Sequence, residues 1–166
     1  MEEKTNQIKL KTSPKDFFLH LLAILALYFS AISFLVLLFQ YINILIPDIL
    51  DSGSYDIRAS YFGKIRWSMS SLIVVFPVYL ITTWFLNKGY RANPEKRNLR
   101  IRRWLIYFTL FVTAVIIIGD LVSLIYNFLG GELTTRFLLK ILVVFFVAAS
   151  IFTYYFWDLK INKTEQ

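Results

Sequence analysis

Hydrophobic positions in this chain form four long blocks rather than a short-period pattern. Residues 17–46, 65–86, 104–129 and 136–159 are each apolar over more than the roughly 20 residues needed to cross a hydrocarbon layer as a helix. Pro47 closes the first block, and the Gly130-Gly131 pair separates the third from the fourth. The pattern predicts an all-α integral membrane protein of four transmembrane helices in a bundle. Between the blocks lie an external loop (47–64) and a basic loop (87–103), flanked by tails 1–16 and 160–166. Within the first loop, the stretch IRASYFG could lie as a short interfacial helix. The first block far exceeds the 7–15 residues of a signal-peptide core, so it is expected to be retained as an anchor.

Polar residues inside the blocks are not scattered. At about 100° per residue, Thr109, Thr113, Asp120, Ser123 and Asn127 of the third block share an arc of about 80°. Ser30, Ser33, Gln40 and Asn43 gather on one side of the first, with Ala23 and Ala26. Ser68, Ser71 and Thr82 align in the second, where Pro77 is expected to bend the helix. Arg136, Lys140, Tyr154 and Asp158 share a face of the fourth. Lipid satisfies none of these groups, so the stripes should turn inward as a polar seam. For the hydroxyls, interhelical hydrogen bonding is the simpler role; a solute or ion path is the sharper one.

Asp120 differs in kind. It lies nine residues, roughly 13 Å, below the end of its block, close to the midplane, where an ionised aspartate costs about 2.5–3.5 kcal/mol. Lys140 on the next helix is the obvious partner, at a depth differing by about 6 Å. Side chains lean toward their own helix N-terminus, however, which tips Lys140 outward and Asp120 inward. The two arguments oppose each other, and the pair stays open. Without it, Asp120 could be a neutral hydrogen-bond donor, part of a proton relay, or a buried device that sets helix register. Arg66, Glu132, Arg136 and Lys140 could form a charged rim at the outer surface, with Glu132 and Arg136 pairing across one turn. That rim would snorkel to headgroups or hold an anion.

Charge sets an orientation. The chain of 166 residues has a net charge of +7. Thirteen of the 18 Lys and Arg residues fall on the tails and the 87–103 loop, and five on the other side. The positive-inside rule then places both termini in the cytoplasm, in a cell membrane. Trp67, Trp84, Trp104 and Trp157 all sit within three residues of a block end, where indoles anchor at interfaces. With basic residues flanking the spans, anionic lipid at 87–103 is the expected partner rather than nucleic acid. The Asn162-Lys-Thr sequon falls on the cytoplasmic side and carries no expectation.

Composition removes much chemistry. At 57% hydrophobic residues and a mean hydropathy of +0.58, the chain is too apolar for an ordinary soluble domain. It has no cysteine and one histidine, His20. Thiolate nucleophiles, zinc ribbons and multi-histidine metal sites therefore lack parts. No serine–histidine–acid set or phosphate loop is recognisable, and no cofactor is expected. His20 lies off the polar stripe and reads as interfacial; a haem would need a second histidine from a dimer.

The strings RANPEKR, IGDLVSLIYNFLGGELTTRFLLKILVV and YYFWDLK resemble the "domain of unknown function 5671" family of small bacterial membrane proteins, over roughly residues 20–160. That resemblance implies several spans and no assigned activity or cofactor. Three readings follow. The first is a non-catalytic accessory or assembly bundle, as a homo-oligomer or with a membrane partner. The second is a small solute or proton-linked transporter using Asp120 and Lys140. The third is a haem-binding redox protein.

Overall fold

A computed structural model describes residues 13–47, 55–92, 99–131 and 133–164. They form four helices: α1 (Pro14–Leu45), α2 (Tyr55–Ala92), α3 (Arg100–Leu129) and α4 (Thr135–Thr164). Each is long and apolar enough to cross a membrane.

Local chemistry sets the ends. Ser13 is extended, and Pro14 opens α1 where a missing N–H costs nothing. At the other end Ile46, which precedes Pro47, leaves helical geometry (φ −125°, ψ 77°) while its amide still reaches the Ile42 carbonyl at 2.9 Å. Proline's Cδ disfavours the α region for the residue before it. Between α3 and α4, Gly130 donates to the Tyr126 carbonyl and Gly131 turns left-handed at φ +71°. Thr134 then accepts the Phe137 amide at 3.2 Å, as an N-cap side chain does. Only glycine takes that turn without strain, so Gly131→Val should lower the unfolding free energy by about 1–2 kcal/mol, with Gly131→Asn costing less. Equal stabilities in mixed-micelle denaturation would contradict this.

Two helices run further than hydropathy predicts. α2 begins at Tyr55, so IRASYFG is its first turns rather than a separate interfacial helix, and the 47–64 loop is shorter than expected. The 87–103 loop is likewise helical up to Ala92 and again from Arg100. Hydropathy reports where a helix leaves the apolar layer. Backbone hydrogen bonding continues until something breaks it, and 55–64 holds no proline. α2 also continues through Pro77.

α1 is the hub. It packs most heavily on α2 and also touches α4 and α3, while α3 packs along α4. The two ends of this bundle are called terminal (residues 13–20, 90–92, 99–102 and 155–160) and distal. The backbones of α2 and α4 stay apart, leaving an apolar groove of about 800 Å³ lined by Ser30, Phe34, Ile73, Pro77 and Phe146.

The interior inverts that of a water-soluble protein. Its most deeply buried side chains are Ser33, Ser68, Thr109 and Thr113, with Ala23, Ala26 and Ala148 beside them. Large apolar side chains point outward, among them Ile73, Phe111 and Phe146 at about 70% exposure. Small residues let helix backbones approach closely, and van der Waals contact rather than water exclusion drives association in lipid. All four tryptophans are exposed, as interface anchors must be. The inward stripe of α1 and the first half of that of α3 (Thr109, Thr113) fall where the pattern places them. On α4 the polar stripe lies to one side of the buried Ile141 and Ala148, and Tyr154 is exposed, against expectation.

Candidate functional site

Polar side chains collect at three levels. At the terminal end, one group comes from each helix. His20 of α1 is buried, its Nδ1 2.6 Å from the Asp16 carbonyl and its Nε2 2.5 Å from the Tyr90 hydroxyl of α2. A carbonyl only accepts, so in the neutral ring Nδ1 carries the hydrogen and Nε2 accepts from Tyr90. The Tyr90 ring in turn lies 5.1 Å from the Arg102 guanidinium of α3. Arg102 Nη2 donates to both carboxylate oxygens of Asp158 on α4, at 2.8 and 2.7 Å. The side chains of that pair are only 12% and 31% exposed. The cluster borders a cavity of about 90 Å³ that also meets Tyr79, Asn87 and Tyr155.

This cluster corrects two expectations. His20 belongs to the packed interior rather than to an interface, and both of its ring nitrogens are engaged. A haem iron would have to break one of those hydrogen bonds, so the haem reading loses its one ligand. Tyr90→Phe should cost about 1–2 kcal/mol by leaving a buried imidazole acceptor unmade, measurable as a shift in unfolding midpoint.

At the distal end Arg136 reaches across the bundle. Its Nε donates to Asn43 Oδ1 at 2.8 Å and its Nη2 to the Tyr61 hydroxyl at 3.2 Å. Asn43 donates onward to Gln40 at 3.3 Å. α4 is thus tied to α1 and α2. Of the expected outer rim, Arg66 is exposed, Arg136 reaches Asn43 and Tyr61, and Glu132 lies outside the described residues. Lys140 sits over the Phe39 ring, 5.8 Å from its centre.

Between the ends, α3 carries the seam. Thr109 accepts from Tyr28 at 3.2 Å and donates to the Leu105 carbonyl. Thr113 donates back to the Thr109 carbonyl at 2.9 Å. Both threonines are buried. Further along the same face, Asp120, Ser123 and Asn127 are only half-buried, so neighbouring helices cover the first half of the stripe and not the second. Asn127 Nδ2 donates to the Ser123 carbonyl at 2.9 Å.

Asp120 Oδ2 is buried with no hydrogen-bond partner among the described residues, and no ion pair joins it to Lys140. The opposed lean of side chains on antiparallel helices outweighs the 6 Å depth match. Two further hydroxyls, Ser30 and Ser33, are also buried without partners. Among the described residues, no group of three or more His, Asp or Glu could hold a metal ion.

Tyr61, Tyr90 and the Arg102–Asp158 pair were not legible as contacts in the sequence. Their partners lie 56 to 75 residues apart, and no local spacing encodes such a meeting. The one available signal was Asp158 on the polar stripe of α4, an acid that needs a cation from another helix.

Compared with known families, the chain matches a domain of unknown function (number 5671) over residues 16–155. No curated protein and no solved structure matches it.

Proposed function

We propose, for a chain that belongs to the domain of unknown function 5671 family, a non-catalytic role as an accessory or assembly subunit of a membrane. One observation carries the reading. The polar groups at both ends are used to hold the chain's own four helices, whereas Asp120 Oδ2 in mid-span has no partner among the described residues. An intramembrane carboxyl left over after the bundle has closed fits a contact outside the chain. Their basic residues support a cytoplasmic side for both termini and the 93–99 connection, where exposed Lys88, Arg91, Arg100 and Arg103 would meet anionic headgroups. Reporter fusions within 93–99 that are active only outside the cell would reverse this orientation.

The same carboxyl also suits a second reading, a proton- or solute-linked carrier, because such relays use intramembrane acids. Lys140 no longer joins it as a site. Two measurements separate the readings. Mild detergent extracts of native membranes should contain the chain in a complex well above its 19.6 kDa. Proteoliposomes bearing a pH gradient should leak no faster than protein-free vesicles. Proton flux that disappears in Asp120→Asn would install the carrier instead.

A further inference from the structure

The distal half of α3 offers one face of hydrogen-bond acceptors. Asp120 is half-buried; its Oδ2 is covered by the chain itself and has no partner among the described residues, and rotation about the Cβ–Cγ bond exchanges the two carboxylate oxygens between the covered and the open side. Seven residues on, Asn127 commits an amide hydrogen to the Ser123 carbonyl, leaving its Oδ1 to accept. The two groups stand about 10 Å apart along the axis and within about 20° of each other around it.

We propose that this face docks a transmembrane helix of another protein that carries a lysine or arginine near the bilayer midplane. The identification rests on the accessory reading above and on charge complementarity. A carboxylate and a cation are each expensive in hydrocarbon, and pairing relieves both at once. Lipid is a poor occupant. Acyl chains have no donors, and headgroup ammonium groups stay at the surface, roughly 13 Å above Asp120 by helix rise. A second copy docked through the same face would set acceptor against acceptor, and a two-fold axis would bring carboxyl to carboxyl. Lysine and arginine have the reach: their long stems place the charge well off the helix axis.

The test uses the full-length chain, donor-labelled and reconstituted in phosphatidylcholine vesicles with acceptor-labelled polyleucine helices. The helices carry a central lysine, a central glutamate or no polar residue. Energy transfer should report association of the lysine helix about tenfold tighter than the all-leucine helix. That preference should fall to within about twofold in both Asp120→Asn and Asp120→Leu. Two variants are used so that misfolding of one, seen by circular dichroism, leaves the other to decide. Equal binding of lysine and leucine helices to the wild type would overturn the proposal. So would a lysine preference that survives both substitutions, or glutamate helices binding as well as lysine ones. Energy transfer between two labelled copies of the chain that depends on Asp120 would give the face to a second copy and overturn it as well. The accessory reading fails separately: a native complex that persists without lysine preference sinks only this inference, whereas Asp120-dependent flux sinks the accessory role.

Discussion

Asp158→Ala should destabilise the bundle by about 2–3 kcal/mol, toward the lower end for removing one member of a buried ion pair because Asp158 is nearly a third exposed. The loss comes mainly from what is left behind. Arg102 is 12% exposed, its Nη2 straddles both Asp158 oxygens, and its plane lies against the Tyr90 ring. With the carboxylate gone, a guanidinium stays in a poorly hydrated crevice facing a histidine and a tyrosine. Arg102→Met should also destabilise, since both carboxylate oxygens lose the guanidinium they accept from. Removing both charges together, as Arg102→Met with Asp158→Leu, should cost less than the two single changes summed, by at least about 1 kcal/mol. Denaturation in mixed micelles measures all of these. Additive effects, or single changes within error of wild type, would mean that the pair contributes little to closing the terminal end.

The other membrane aspartate should respond with the opposite sign. Asp120→Leu is expected to stabilise the isolated chain by about 1–3 kcal/mol, the usual cost of a buried polar group left unsatisfied. Nothing on neighbouring helices loses a partner, because Oδ2 has none among the described residues. An aspartate paired within its own chain would behave like Asp158 and lose stability on substitution. The same micelle denaturation reads the sign directly, and a loss above about 1 kcal/mol would show that Asp120 has an intrachain partner after all. In native membranes the gain should be offset or reversed if the carboxyl meets a cationic helix there. A residue that lowers the stability of the free chain is often retained for what it binds.

The contrast between these two acids shows where sequence reasoning stops. Both stood on inward polar stripes, and both read as charges in need of company. For Asp120 the nearest cation in sequence, Lys140, was the natural candidate, and depth alone supported it. The lean of side chains on antiparallel helices decided against it, and that effect is a matter of vectors rather than of spacing. For Asp158 the partner was Arg102, a residue that hydropathy and charge counting assign to a cytoplasmic loop. α3 begins at Arg100, so Arg102 is already helical and faces the bundle. His20 was misplaced for a similar reason. The α1 stripe read from the sequence begins at Ala23, whereas the packed face extends one turn further toward the helix start and includes His20.

The amino-acid order determined the number of helices, where they start and stop near proline and glycine, and which face of α1 and α3 turns inward. Each of these follows from local rules: backbone hydrogen bonding in hydrocarbon, the φ restrictions of two residue types, and the 3.6-residue turn. Tertiary structure decided which polar groups meet. The His20–Tyr90, Arg102–Asp158 and Arg136–Asn43 contacts depend on how far each helix is rotated and shifted against its neighbours. Those settings arise from side-chain packing summed over the whole bundle, and no short segment carries them. The same settings left the second half of the α3 stripe only half-covered, with a carboxylate oxygen that has no partner among the described residues.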